Sequence, residues 1–336
     1  MNDMKKIGLT ALAGSLVAFS ANAAEMSVSG STVLTYTSDS GDVTGNPIGM
    51  TSSVKFSASG EVNGYNVSYF ATTADSLTGM TSARLSVDMG DIGTISYDQG
   101  SGSGLSTIDD KTPTAAEEIW DGLDTTTSGR VGAVGSSGVI NYVNSFGGVN
   151  LNAAFRNGAA GTNADGATSG EGSGSGYDFA LTTDGSMLGV DGLALGAGYG
   201  KVENAQTALA TGGGDGDKTD ITGFVNYSIG PVTLGYQMSA EDNMVNTSGA
   251  TTADQEATRW GIAFNINENL SVSYGEAETE FLKPSATNVT EDVEGIAIAY
   301  TMGSMKIAGN RNEGSNMAGT AGSNDEMTEI AVSFAF

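Results

Sequence analysis

Apolar and polar residues alternate with a period of two along most of the chain, which is the pattern of strands with one apolar face. Leu34 and Tyr36 share the apolar face of the first strand. Val54, Phe56 and Ala58 alternate with Lys55 and Ser57, and Tyr65, Val67, Tyr69 and Ala71 alternate with Asn66 and Ser68. The same reading covers Leu85, Val87 and Met89, then Val149 to Phe155, Trp260 to Ile266 and Ile296 to Tyr300. The connections alternate in length. Seven short ones fall at 61–64, 90–93, 146–148, 188–192, 230–231, 267–269 and 302–304. Eight longer polar ones fall near 38–49, 75–80, 98–136, 157–174, 201–219, 241–255, 279–291 and 312–325. Fifteen connections join about sixteen strands and leave both termini on the short-turn side. Apolar stretches of 3.6-residue period are missing, apart from a short helix expected at Ala115–Leu123.

The class expected is therefore all-β: a transmembrane antiparallel β-barrel with short periplasmic turns and long external loops. A soluble sandwich also alternates, but its apolar face packs inward. Here the opposite face carries Ser, Thr, Asn, Gly and scattered charge, as a water-filled lumen requires. Tyr36, Tyr65, Tyr97, Tyr177, Tyr199, Tyr227, Trp260 and Tyr300 sit toward strand ends, where barrels carry aromatic girdles. The last strand places Ile330, Val332, Phe334 and Phe336 on one face. A closed barrel pairs this strand with the first, because an open edge cannot sit in lipid.

The first residues are read as a leader. Lys5 and Lys6 precede an uncharged apolar or small stretch from Ile7 to Ser20, and Ala21-Asn22-Ala23 has the A-x-A cleavage form. The expected organisation is a signal peptide at 1–23 and a barrel at 24–336. Cysteine and histidine are absent, so disulfides, Ser-His-Asp triads and zinc sites built on His or Cys are excluded. Formal net charge is −26, and loss of Asp3, Lys5 and Lys6 leaves 38 acidic against 11 basic side chains. Nucleic acid is excluded as a partner, since phosphate contacts need a basic face.

Three stretches resemble a known family. "AEMSVSGSTVLTYT" near the start, "RLSVDMGDIGTISYDQG" at 84–100 and "EIAVSFAF" at the end are similar to Gram-negative general porins of the alphaproteobacterial type. The resemblance implies a trimer of sixteen-stranded barrels, with the third loop folded into each pore. It implies that the barrel-assembly machinery reads the terminal strand. Membrane lipid and lipopolysaccharide would surround the barrel, and small hydrophilic solutes would cross it.

The third loop, 98–136, is the longest connection and carries Asp109, Asp110, Glu117, Glu118, Asp121 and Asp124, with Lys111 and Arg130 as its basic residues. This reads as an acidic constriction wall. Lys55 and Arg84 take inward slots opposite it by alternation, and Arg156, Arg259 and Lys306 face the lumen by the same parity. Opposed charges would set a transverse field, and the overall charge predicts weak cation preference. No cofactor is expected. The carboxylates of Asp215-Gly216-Asp217 and Asp325-Glu326 offer the oxygens that weak Ca²⁺ binding would use, although solvated loop tips are the simpler reading. The single "GGGDGD" lacks the repeats of a calcium β-roll, and Gly196, Gly198 and Gly200 lie in a strand with no helix to cradle a nucleotide. A passive diffusion channel is the leading function, with a solute-selective channel or a secreted adhesive β-protein as alternatives. An enzyme would need Asp, Glu or Lys as its base, and no cluster marks one.

Overall fold

A computed structural model describes residues 25–39, 45–73, 75, 79–124, 131–132, 134, 137–158, 175–203, 217–242, 254–283 and 286–336. Sixteen strands form a closed antiparallel barrel. They are β1 (Glu25–Asp39), β2 (Ile48–Val62), β3 (Tyr65–Thr73), β4 (Met80–Asp88), β5 (Thr94–Gln99), β6 (Ser137–Phe146), β7 (Val149–Arg156) and β8 (Gly176–Asp184). The second half comprises β9 (Leu193–Val202), β10 (Lys218–Ile229), β11 (Val232–Asp242), β12 (Asp254–Asn265), β13 (Leu270–Leu282), β14 (Val289–Met302), β15 (Met305–Ser315) and β16 (Asn324–Ala335). Each strand pairs with its chain neighbours, and β1 pairs with β16.

Alternation fixes which face is which. Phe56, Tyr69, Leu85, Phe155, Ile221, Leu234, Phe264 and Ile298 are exposed on the outside, while Arg84, Asp98, Asn141, Asp178 and Gln237 lie inside. This inversion of a soluble protein suits strands that cross lipid around a polar lumen. Among the described residues no helix is long and apolar enough to cross a membrane. The short turns are tight. Asn63 (φ 52°) and Gly64 (φ 85°) both take positive φ, the geometry that matches strand twist in a two-residue hairpin.

The barrel closes on Phe336. Its N–H donates to the Gly30 carbonyl (2.9 Å) and its own carbonyl accepts from Gly30 N–H (2.6 Å). Its ring lies where a side chain on Gly30 would be, 2.6 Å from an added Cβ. Ile330, Phe334 and Phe336 are exposed on the outer face, continuing its apolar band.

Two expectations need correction. No helix forms at Ala115–Leu123; the segment runs as turns, because its backbone groups bond to the barrel wall. Several strands also extend further than the polar residues suggested. β13 and β14 continue to Leu282 and from Val289, through stretches read as loop, because Glu278, Glu280 and Asp292 point outward while Thr279 and Glu291 point in. Pairing persists there without an apolar face.

Candidate functional site

The third loop enters the lumen at β5 and is latched at its root. Asp98 on β5 is fully buried and forms an ion pair with Arg84 on β4 (3.1 Å). Asp98 also accepts from Ser103 Oγ (2.6 Å), Ser101 N–H (3.0 Å) and Ser101 Oγ, and Arg84 donates to the Gly102 carbonyl. Arg84 is therefore engaged with the loop's base.

The next segment, Gly104–Ile108, is a short 3₁₀ turn that buries Leu105 and Ile108 against Ala180 and Phe224. Asp178 on β8 holds both legs of the loop. Its two carboxylate oxygens accept from Leu105 N–H (2.9 Å) and Val134 N–H (3.1 Å). Asn152 on β7 accepts from Gly104 N–H (2.8 Å).

Beyond this point the loop follows the wall. Gln237 on β11 donates to the Ile108 carbonyl and accepts from Lys111 N–H, both at 2.8 Å. Asn226 on β10 donates to the Lys111 carbonyl (2.7 Å). Ser273 on β13 accepts from Ala115 N–H (2.8 Å). Asn312 on β15 donates to the carbonyls of Glu118 (3.1 Å) and Asp121 (2.8 Å). Asp325 at the start of β16 accepts from Asp124 N–H (2.8 Å). Trp120 and Leu123 pack on Ala277, Val293, Met317 and Met327. These anchors satisfy loop backbone groups that would otherwise be buried unpaired.

Four glycines make room for this path. Gly235, Gly261, Gly275 and Gly295 face one another in register across β11 to β14. A Cβ on Gly235 would stand 2.3 Å from Pro113 Cδ, and one on Gly295 would stand 2.9 Å from Ile119 Cβ. The glycine rung thus forms a trench into which the loop sinks.

The loop's carboxylates crowd one another. Burial, then the neighbouring Glu118 charge, raises Asp110 to about 6, although Arg259 opposes the shift. Burial, then the charges of Glu117, Glu329 and Glu118, likewise raises Asp121 to about 6. Glu118 and Asp109 are half-buried, while Glu117 is exposed. Asp124 is exposed near β16.

The anchors just described fall on β4, β5, β7, β8, β10, β11, β13, β15 and β16. The inner faces of β1 to β3 carry hydroxyls: Ser27 opposite Ser57, Ser31 opposite Ser53, and Ser59 opposite Ser68. Lys55 stands among them, its Nζ 4.2 Å from the centre of the Phe70 ring. That cation–π contact holds the ammonium against the wall.

The other basic residues are placed as follows. Arg259 is inward by parity but does not line the lumen: it is buried beneath the loop, donating to the Asp109 carbonyl (2.9 Å) and stacked on Trp120 (5.0 Å). The loop, rather than water, covers it. Arg156 ends β7 near Asp178, and Lys306 lies beside the short turn between β14 and β15. Arg130 lies outside the described residues. Asp325 and Glu326 point to opposite faces, inward to Asp124 and outward to Arg311, so they do not converge on one cation. Asp217 pairs with Lys201 (2.7 Å), while 215 and 216 lie outside the described residues. Among the described residues no group of three or more acidic side chains could hold a metal ion.

The anchors Asp98, Asn152, Asp178, Asn226, Gln237 and Asn312 do not stand out in the sequence, because inward polar residues are the rule in every strand. The glycine rung did leave a trace, as a bulky or acidic residue followed by glycine in four consecutive strands: Leu234-Gly235, Trp260-Gly261, Tyr274-Gly275 and Glu294-Gly295.

A family model described as Gram-negative porin matches residues 8–335. The chain belongs to the Gram-negative porin family. Among curated proteins none matches. Solved structures with the same fold include OmpF of Salmonella typhi, in complex with daunomycin (13% identity, 94% of this chain and 99% of that one, TM-score 0.67). An anion-selective porin from Comamonas acidovorans is 13% identical over 93% of this chain and 100% of that one, TM-score 0.63. OmpT of Vibrio cholerae, in its trimer form, is 15% identical over 94% of this chain and 100% of that one, TM-score 0.65. This porin is an outer-membrane channel for passive diffusion of solutes, and it is not an enzyme.

Proposed function

We propose that the third loop constricts the channel, so that solutes pass between its carboxylates and the hydroxyl wall of β1 to β3. The observation that carries this reading is the path of residues 102–124, seated by wall anchors from Asn152 to Asp325. Asp110, Glu117, Glu118 and Asp121 line one side of the passage, and Lys55 is the cation set among the opposite hydroxyls. Such a site ranks small cations and neutral polar solutes above anions, because the loop's negative charge outweighs one ammonium. The anion selectivity stated for the Comamonas protein belongs to that protein. Purified protein in a planar bilayer under a salt gradient tests the reading: a cation-selective reversal potential is expected, and an anion-selective one defeats it.

The working unit is a homotrimer, as in the trimer form of OmpT. Residues 1–23 act as a cleaved export signal, and the terminal strand through Phe336 is the signal read by the barrel-assembly machinery. Lipopolysaccharide surrounds the external ends of the strands.

A further inference from the structure

Away from the third loop's anchors, the inner faces of β1 to β3 form three consecutive rungs. Glu25, Ser59 and Ser68 make one, Ser27, Ser57 and Phe70 the next, and Ser29, Lys55 and Thr72 the third. A cavity of about 390 Å³ opens on them, between Glu25 at one end and Lys55 and Phe70 at the other. Its hydroxyls are unclaimed. Elsewhere on the wall Ser31 bonds to Ser53 (3.0 Å) and Ser96 to Ser86 (2.9 Å). Among the described residues, the hydroxyls of Ser27, Ser57, Ser59 and Ser68 bond to no other protein group.

Phe70 is an apolar ring on a polar face. The inward rings of Phe224 and Phe281 are taken up by packing, one against the Leu105 and Ile108 cluster, the other against Gly319. Phe70 instead borders the cavity, half-buried, with the Lys55 ammonium 4.2 Å from its centre. The cavity's two charges stand apart. Glu25 faces Ser59, which lies four residues from Lys55 along β2, roughly 13 Å of strand. An ion is drawn to one end and repelled from the other. An α-amino acid carries both its charges on one carbon and cannot reach both ends. A neutral saccharide meets every group: the ammonium only donates, the carboxylate only accepts, and the serines do both. Its C–H face also gives the Phe70 ring an apolar partner. We propose that this wall binds neutral saccharides in transit, one pyranose ring against Phe70 and its hydroxyls on Ser27, Ser57 and Lys55. The proposal rests on the path between loop and wall given above, and names the solute that the wall favours.

The test is block of the ion current through the purified porin in a planar bilayer. Maltose is the probe, with gluconate and glycine at equal concentration for comparison. Maltose should interrupt the current in a concentration-dependent way, and more than either comparison solute. Phe70→Ala should raise the half-blocking concentration at least about threefold, the loss of one ring contact, while Phe70→Tyr keeps the wild-type value. Ser57→Ala/Ser59→Ala should weaken the block and leave heat-modifiable gel mobility unchanged, which reports a folded barrel. Three results would overturn the proposal: no maltose block, a block that Phe70→Ala leaves unchanged, or a stronger block by gluconate or glycine. If any of these comes with a cation-selective reversal potential, the saccharide site fails and the path stands; a chloride-set potential defeats both.

Discussion

Asp178 bonds to the third loop on both of its legs, so replacing it should release the loop while leaving the barrel intact. Its two acceptors hold Leu105 N–H at 2.9 Å and Val134 N–H at 3.1 Å, and the residue is 2% exposed. A hydrogen bond to a charged group contributes about 1.5–3 kcal/mol net. Asp178→Asn keeps the volume but supplies one acceptor and turns an N–H₂ toward the second N–H. It therefore loses one bond, which shifts the seated-to-released ratio by roughly ten- to a hundredfold. Asp178→Ala loses both and strands two buried donors, for a combined effect on the order of 3–6 kcal/mol. The barrel's ladder bonds do not run through this side chain, so heat-modifiable mobility should persist. Single-channel recording in a planar bilayer is the assay. Open-channel noise and brief closures should increase in the order wild type, Asn, Ala. If Asp178→Ala conducts as quietly as wild type at the same conductance, the loop is not held at this point and the reasoning fails.

Other outcomes follow from the same geometry. Gly261→Val drives a side chain against Pro113, whose carbonyl oxygen would stand 2.9 Å from the added Cβ, so the loop should lift and single-channel conductance should change while the barrel still folds. Lys55→Gln removes the ammonium from the hydroxyl wall; the reversal potential should move further toward ideal cation selectivity, and no movement would show that Lys55 does not face the conduction path. Lowering pH from about 7 to about 5 should reduce cation selectivity with a midpoint near 6, because Asp110 and Asp121 take up protons there. The sign for stability follows from the same raised values. Their charging opposes the seated loop, so seating is favoured at low pH and that advantage is lost as pH rises through about 6. Closure noise should therefore be lower on the acid side of this range than at neutral pH.

The barrel was legible because lipid leaves a repeating trace: each crossing strand must be apolar at every second position, and Phe56, Leu85, Phe264 and Ile298 keep that rhythm. Phe336 was legible for the same reason, although its seat over Gly30 depends on a register that only the closed sheet fixes. The loop's acidic character was legible from composition, but its path was not. Gln237 and Asn312 look like any inward polar residues until the loop's carbonyls arrive beside them. Arg259 shows the limit of parity, which assigns a face and says nothing of what covers it. Alternation likewise overstated the loop at 279–291, because Glu278 to Glu280 are polar on a strand that rises beyond the apolar band.

The proposed path takes solutes between the loop's carboxylates and a wall of hydroxyls carrying Lys55. The reversal potential of the purified wild-type channel across a potassium chloride gradient at neutral pH tests it most directly. A potential of the sign set by potassium permeation is predicted; one set by chloride would contradict it.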